Sequence, residues 1–194
     1  METVETRNPE LVESLRTKLL EALGKATVPK LSKPRWKTKE GKSTHQRSNV
    51  IGDIGRTMTF GFGNTRRGIK DYKTNSKYPD LMKALVDYGN AILPVGFFYN
   101  GITLNHGVKA KKHVDSLNIG VSYITGLGEY TGGELEIWSS DTESVKVDLN
   151  KKIVGFNGAL MPHQTCDFEG NRYTIIYYKQ KWNSPVTGYE TIGK

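Results

Sequence analysis

One cysteine, Cys166, occurs in 194 residues. No intramolecular disulfide can form, and a cysteine-based zinc site or iron–sulfur cluster is excluded as well. Histidine is also scarce, with His45, His106, His113 and His163 the whole supply. Any transition metal must therefore be shared between imidazoles and carboxylates. Acidic residues are in deficit, 20 against 28 Lys and Arg, which leaves a formal charge of +8. No apolar run approaches the ~18 residues that a membrane-spanning helix needs, so no membrane partner is expected. The opening METVETRNPE lacks the basic and then apolar layout of a secretory leader, so the expected location is intracellular.

The length suits one domain, 1–194, with a substantial core. Its basic character is concentrated: residues 25–47 hold eight Lys or Arg and one Glu. That segment also carries Trp36, two prolines and several hydroxyls. Such a composition buries little surface and suits phosphate neutralisation, although a solvated connector has the same look. Residues 1–50 are therefore read as an N-terminal helix and a basic connector.

Within 9–24 the apolar residues Leu11, Val12, Leu15, Leu19, Leu20 and Leu23 recur at helical spacing, closed by Gly24. A strand is expected around 56–62, then a loop rich in Arg, Lys and Tyr, then a second helix at 79–90 opened by Pro79 and Asp80. From residue 92 the texture becomes short β-branched and aromatic runs broken by glycine and asparagine. Strands are expected at VGFFYN, ITLNHG, KAKKHVD, VSYITGL, GELEIW, SVKVDL, KIVGFNG and RYTIIYYKQ. Helices first and many short strands after them indicate an α+β chain built on a jelly roll, with its core over 92–182.

Two polar residues sit where that core begins. In an extended segment residues i and i+2 point the same way, so His113 and Asp115 in KKHVDSLNIG would project together. A later histidine would complete the triad of two His and one carboxylate that leaves open positions on non-haem Fe(II). His163, between two strand-like runs, is preferred to His106 for this place. In NRYTIIYY, Arg172 and Thr174 are again two apart. A guanidinium aimed into a strand-lined interior needs a carboxylate partner, and a small dicarboxylic cosubstrate would supply one. Each feature alone has an ordinary structural explanation; their joint order in a β-rich chain is harder to explain that way.

The pattern resembles the Fe(II)- and 2-oxoglutarate-dependent dioxygenases. HVDSLNIGVSYITGLGEYTGGEL followed by HQTCDFEGNRYTIIYY looks most like the branch containing the TET and J-binding proteins, over roughly residues 95–180. The resemblance implies a double-stranded β-helix (a jelly-roll, cupin-like core) with flanking N-terminal helices. It implies iron held by His113, Asp115 and His163, and 2-oxoglutarate held by Arg172 and Thr174, with O2 as second cosubstrate. Tyr99 and Tyr123 are further cosubstrate candidates, Arg56 a lesser one, and Asn118 would touch a target base unless it is simply a turn residue. The activity implied is hydroxylation of a pyrimidine methyl group, in 5-methylcytosine or thymine, with DNA as partner.

Lys109, Lys111 and Lys112 crowd the approach to the histidine, and Arg66, Arg67, Lys70 and Lys73 fill the earlier loop. Such cations would attract a phosphate backbone. A base inside a duplex is out of reach, so an enzyme of this kind must flip it or use single strands; Trp36, Tyr72 and Phe97 are aromatics that could fill the vacated stack. Cys166 and Trp182 are read as packing residues. YTGGEL is shared with hydroxylases of protein side chains, which keeps a prolyl-hydroxylase-like activity as the alternative. A non-catalytic β-sandwich using the basic segment is the other. The oligomeric state stays open.

Overall fold

The computed structural model describes residues 1–6, 8–30, 55–65 and 68–180. Most of the basic connector, with Trp36, lies outside these residues, as do Arg66, Arg67 and Trp182.

Two helices cover one side. Helix α1 (Pro9–Lys25) begins with Pro9 in its first turn, where the missing N–H costs nothing, and the Asn8 side chain accepts from Leu11 N at 3.0 Å. After a short helix α2 (Lys73–Lys77) comes α3 (Pro79–Ile92), which buries Leu81, Leu85, Tyr88, Gly89 and Ile92, one face at 3.6-residue spacing. None of these helices is long and apolar enough to cross a membrane.

Among the described residues ten strands form two antiparallel sheets. They are β1 (Glu2–Val4), β2 (Arg56–Thr65), β3 (Gly68–Asp71), β4 (Gly101–His106), β5 (Ser122–Gly132), β6 (Leu135–Trp138), β7 (Ser144–Val147), β8 (Ile153–Phe156), β9 (His163–Thr165) and β10 (Phe168–Tyr178). The large sheet runs β1-β8-β5-β10-β4-β2-β3 and the small one β7-β6-β9. This is the double-stranded β-helix expected above, with sheet strands also drawn from before residue 92.

Strand β10 lies at the centre and divides the molecule by parity. Tyr173, Ile175 and Tyr177 face the helices, while Arg172, Thr174, Ile176 and Tyr178 face the space between the sheets. The helix-side core packs Leu19, Leu85, Phe60, Leu104 and Ile175. Tyr177 reaches α3 because position 89 is glycine: a Cβ there would stand 2.6 Å from the Tyr177 ring. Its hydroxyl donates to Leu85 O at 2.7 Å. A smaller core of Ile124, Leu135, Ile137, Leu149, Val154 and Phe156 closes one end between the sheets.

Three expected elements differ. VGFFYN is a turn and loop, with Gly96 at φ +80° and Val95 exposed; Phe97 and Tyr99 instead pack into the helix-side core. The loop expected after β2 contains β3 and α2. KAKKHVD forms no strand; it is tied down by an isolated bridge, His113 to His163, and by backbone hydrogen bonds from Thr165 N to Ala110 O and from Asp115 N to Gly158 O.

Candidate metal centre

The bridge explains the triad. His113 N donates to His163 O at 3.0 Å, and His163 N to His113 O at 2.9 Å, so two histidines 50 residues apart are backbone partners. Asp115 N donates to Gly158 O at 2.8 Å, which ties the carboxylate to the turn before β9. Their side chains converge: His113 Nε2 lies 3.5 Å from Asp115 Oδ1, and His163 Nε2 lies 3.9 Å from Asp115 Oδ2. All three ligand atoms fall within 4.8 Å of one another.

The imidazoles present the correct nitrogen. His113 Nδ1 pairs with Lys111 O at 2.6 Å and His163 Nδ1 with Met161 O at 2.9 Å. A carbonyl can only accept, so each Nδ1 carries the proton and each Nε2 lone pair faces the carboxylate. Burial, and then the neighbouring His113, push the His163 pKa down, toward the neutral form that ligates metal. Gly158 packs close beside them: a Cβ there would come within 3.3 Å of Asp115 Oδ2 and 3.4 Å of His163 Cε1. The donor set of two nitrogens and one carboxylate on one side fits Fe(II) with open positions.

The triad opens onto a cavity of about 880 Å3 between the sheets. Arg172 lies in its wall, 3 % exposed. Its Nη2 donates to Gly133 O at 2.8 Å, while its Nε is buried without a hydrogen-bond partner. No ion pair among the described residues reaches it. The Tyr130 and Phe168 rings lie 5.5 and 5.2 Å from its Cζ, but no carboxylate among the described residues balances the buried charge, which suits the site to an anion. Thr174 stands two residues along the same face, and Asn105 Nδ2 donates to Thr174 Oγ1 at 3.4 Å. Asn105 Oδ1 is itself a buried acceptor without a partner. A dicarboxylate running from the triad to Arg172 would meet the guanidinium and the Thr174 hydroxyl, whereas the Asn105 oxygen, an acceptor, suits a donor. Asn105 escaped the sequence reading because nothing local marks it; its place comes from the register of β4 on β10.

Other expected site residues are placed elsewhere. Tyr99 and Tyr123 are corrected: both belong to the helix-side core and neither lines the cavity. Tyr99 packs edge-on against Tyr177, and the Tyr123 hydroxyl donates to Glu2 Oε1. Burial pushes both phenol pKa values up. Arg56 donates to Val28 O at 3.0 Å and lines no part of the cavity. His106 sits against Asn171 and stacks on Tyr173, away from the triad. Lys111 is exposed and off the cavity; its contribution is the carbonyl that orients His113. Lys109 pairs with Asp167, and Lys112 lies over the Trp138 ring at 3.9 Å, so neither is an isolated cation. Arg66 and Arg67 lie outside the described residues. Cys166 is half-buried.

Asn118 lines the cavity and closes a turn, its N–H donating to Asp115 O at 2.8 Å. Its side chain donates to Asp115 Oδ2 at 3.3 Å and to Ser122 Oγ at 3.4 Å. This places it behind the metal-facing carboxylate, as a positioning residue. Asn118→Ala is expected to weaken iron binding about 10- to 100-fold, the usual cost of losing a partner of a ligand, measured by anaerobic titration. Unchanged iron affinity would leave Asn118 with the turn alone.

No family model and no curated protein match the sequence. The solved structures it is similar to include a prolyl-4-hydroxylase from Pseudomonas putida, at 12 % identity and TM-score 0.52, covering 92 % of this chain and 90 % of that one. NgTET1 in complex with 5mC DNA matches at 16 % identity and TM-score 0.53, over 90 % of this chain and 69 % of that one. OsALKBH1 matches at 12 % and TM-score 0.51, over 92 % and 96 %. At these identities the likeness is one of architecture: the chain has the double-stranded β-helix fold that these proteins share.

Proposed function

We propose that this protein is an Fe(II)- and 2-oxoglutarate-dependent dioxygenase that hydroxylates the methyl group of a pyrimidine, 5-methylcytosine or thymine, in DNA. The observation that carries the enzyme class is the joint presence, in one cavity, of a His-Asp-His triad and a buried arginine whose Nε has no partner. His113, Asp115 and His163 would hold the iron, while Arg172 and Thr174 would hold the distal carboxylate of 2-oxoglutarate. The chemistry supplied by bound iron is activation of O2 at the expense of 2-oxoglutarate, which leaves as succinate and CO2 while a substrate C–H becomes C–OH. The chain's own work is orientation: backbone carbonyls fix both imidazoles and Asn118 fixes the carboxylate.

DNA as substrate is supported by the +8 charge, by the likeness to NgTET1 in complex with 5mC DNA, and by a cavity large enough for cosubstrate and an extruded base together. The reading is tested by anaerobic loading with Fe(II) and 2-oxoglutarate, then O2 and DNA containing 5-methylcytosine and thymine. Succinate and digested nucleosides are read by mass spectrometry, and an oxidised pyrimidine is expected. A hydroxylated residue in a peptide pool, with DNA untouched, would move the assignment to the prolyl-hydroxylase-like alternative that the likeness to the Pseudomonas putida protein favours.

A further inference from the structure

The cavity continues past the triad to one end of the large sheet, and there the inward-facing residues change character. Thr57, Thr59 and Thr103 line the cavity, and further along the same strands, β2 and β4, stand Gly63 and Gly101. The space the glycines leave is filled by two tyrosine rings. A Cβ on Gly101 would lie 2.6 Å from the Tyr178 ring, and one on Gly63 would lie 2.9 Å from Tyr72 Cζ. Each ring therefore rests directly on backbone, and both line the cavity. The register connects this shelf to the metal loop: Tyr178 pairs with Gly101, Gly101 with Gly61, and Tyr72 N donates to Gly61 O at 3.0 Å. On the other side Asn118 bridges to Gln180, just beyond Tyr178. Tyr72 and the metal loop thus flank the same end of the sheet.

The segment carrying Tyr72 is pinned. Asn75 exchanges two hydrogen bonds with the Gly61 backbone, at 2.9 and 2.8 Å, and the Thr74 hydroxyl donates to Thr59 O. Lys73, next in the chain, also lines the cavity, is exposed, and pairs with no carboxylate among the described residues. Across the mouth the metal loop offers the apolar Val114 and Leu117, the latter 63 % exposed. A flat π-surface, an adjacent cation and a facing apolar wall, held in place before any ligand arrives, match a ligand that joins a planar ring to an anion.

We propose that Tyr72 and Lys73 form the substrate grip, Tyr72 stacking on a base and Lys73 pairing with a backbone phosphate of the same strand. This rests on the nucleic-acid reading above and names the unit recognised, a nucleotide in an opened or single strand. A peptide side chain brings no phosphate for Lys73, and its stacking surface would be sequence-dependent; every nucleotide brings both.

Anisotropy titrations of the metal-loaded protein with a short single-stranded oligodeoxynucleotide bearing one 5-methylcytosine, over a range of salt, test the grip. Lys73→Gln is expected to flatten the slope of log affinity against log salt by about 0.7, the value of one single-strand phosphate. Tyr72→Ala is expected to weaken binding about 5- to 100-fold, the range for loss of one stacked base, and Tyr72→Phe to bind like wild type. Circular dichroism and the thermal midpoint verify folding. A wild-type slope for Lys73→Gln, or Tyr72→Phe as weak as Tyr72→Ala, overturns the grip. Nucleosides from the same samples separate the two readings. Wild type that binds with these signatures yet oxidises no pyrimidine keeps the grip and removes the proposed reaction; wild type that does not bind removes the grip.

Discussion

Asp115→Ala is expected to reduce succinate formation to less than about a hundredth of wild type, since losing a mere partner of a ligand already costs about 10- to 100-fold. The loss should be chemical and leave the fold intact. The carboxylate is about one-third exposed and belongs to a loop, so its removal disturbs neither hydrophobic core. Unlike an alanine at buried His163, it opens no packed space beside Phe156. Iron titration and the thermal midpoint separate the effects: the midpoint should stay near that of the metal-free wild type while stoichiometric binding disappears. His113→Ala should behave alike, because the backbone bridge to His163 does not need the imidazole. Full activity in either variant would exclude the triad.

Arg172→Ala is expected to raise the 2-oxoglutarate requirement by roughly 30- to several-thousand-fold, equivalent to the ~2–5 kcal/mol lost when one partner of a buried, hydrogen-bonded charge pair is truncated. Arg172→Lys should fall between, since it keeps the charge and loses the planar fork. The sharper readout uses 2-oxopentanoate, which lacks the distal carboxylate. Wild type should discriminate strongly against it and Arg172→Ala only weakly, because the group being recognised is gone from both partners. If the ratio between the two cosubstrates were the same in wild type and variant, Arg172 would be a structural residue and the carboxylate would bind elsewhere.

Much of this site was legible in the sequence for a reason that differs from the one first suggested. His113 and Asp115 were paired by strand parity, yet they occupy a loop; a single bridge to His163 imposes the extended geometry locally. Tyr99 and Tyr123, expected beside the cosubstrate, face the other way. Tyr99 sits in no strand, and Tyr123 pairs with Tyr177 across β5 and β10, which fixes it on the helix side. Which face a strand residue takes depends on register, and register is set by partners far along the chain. The same dependence hid Asn105. By contrast Arg172 and Thr174 were readable because they stand two apart in one unbroken strand, β10, whose pleat alternation sends both to the cavity face.

That alternation on β10 has an evolutionary side. Odd positions carry the packing against the helices, and even positions carry what meets small molecules, so mutation can sample one set while the other is held constant. Selection for a new substrate acting on Ile176, on its cross-strand neighbour Thr103, or on Thr59 one strand further on, draws little on the reserve of stability held by Ile175 and Tyr177. A scaffold partitioned in this way can change what it oxidises many times without first becoming a different fold.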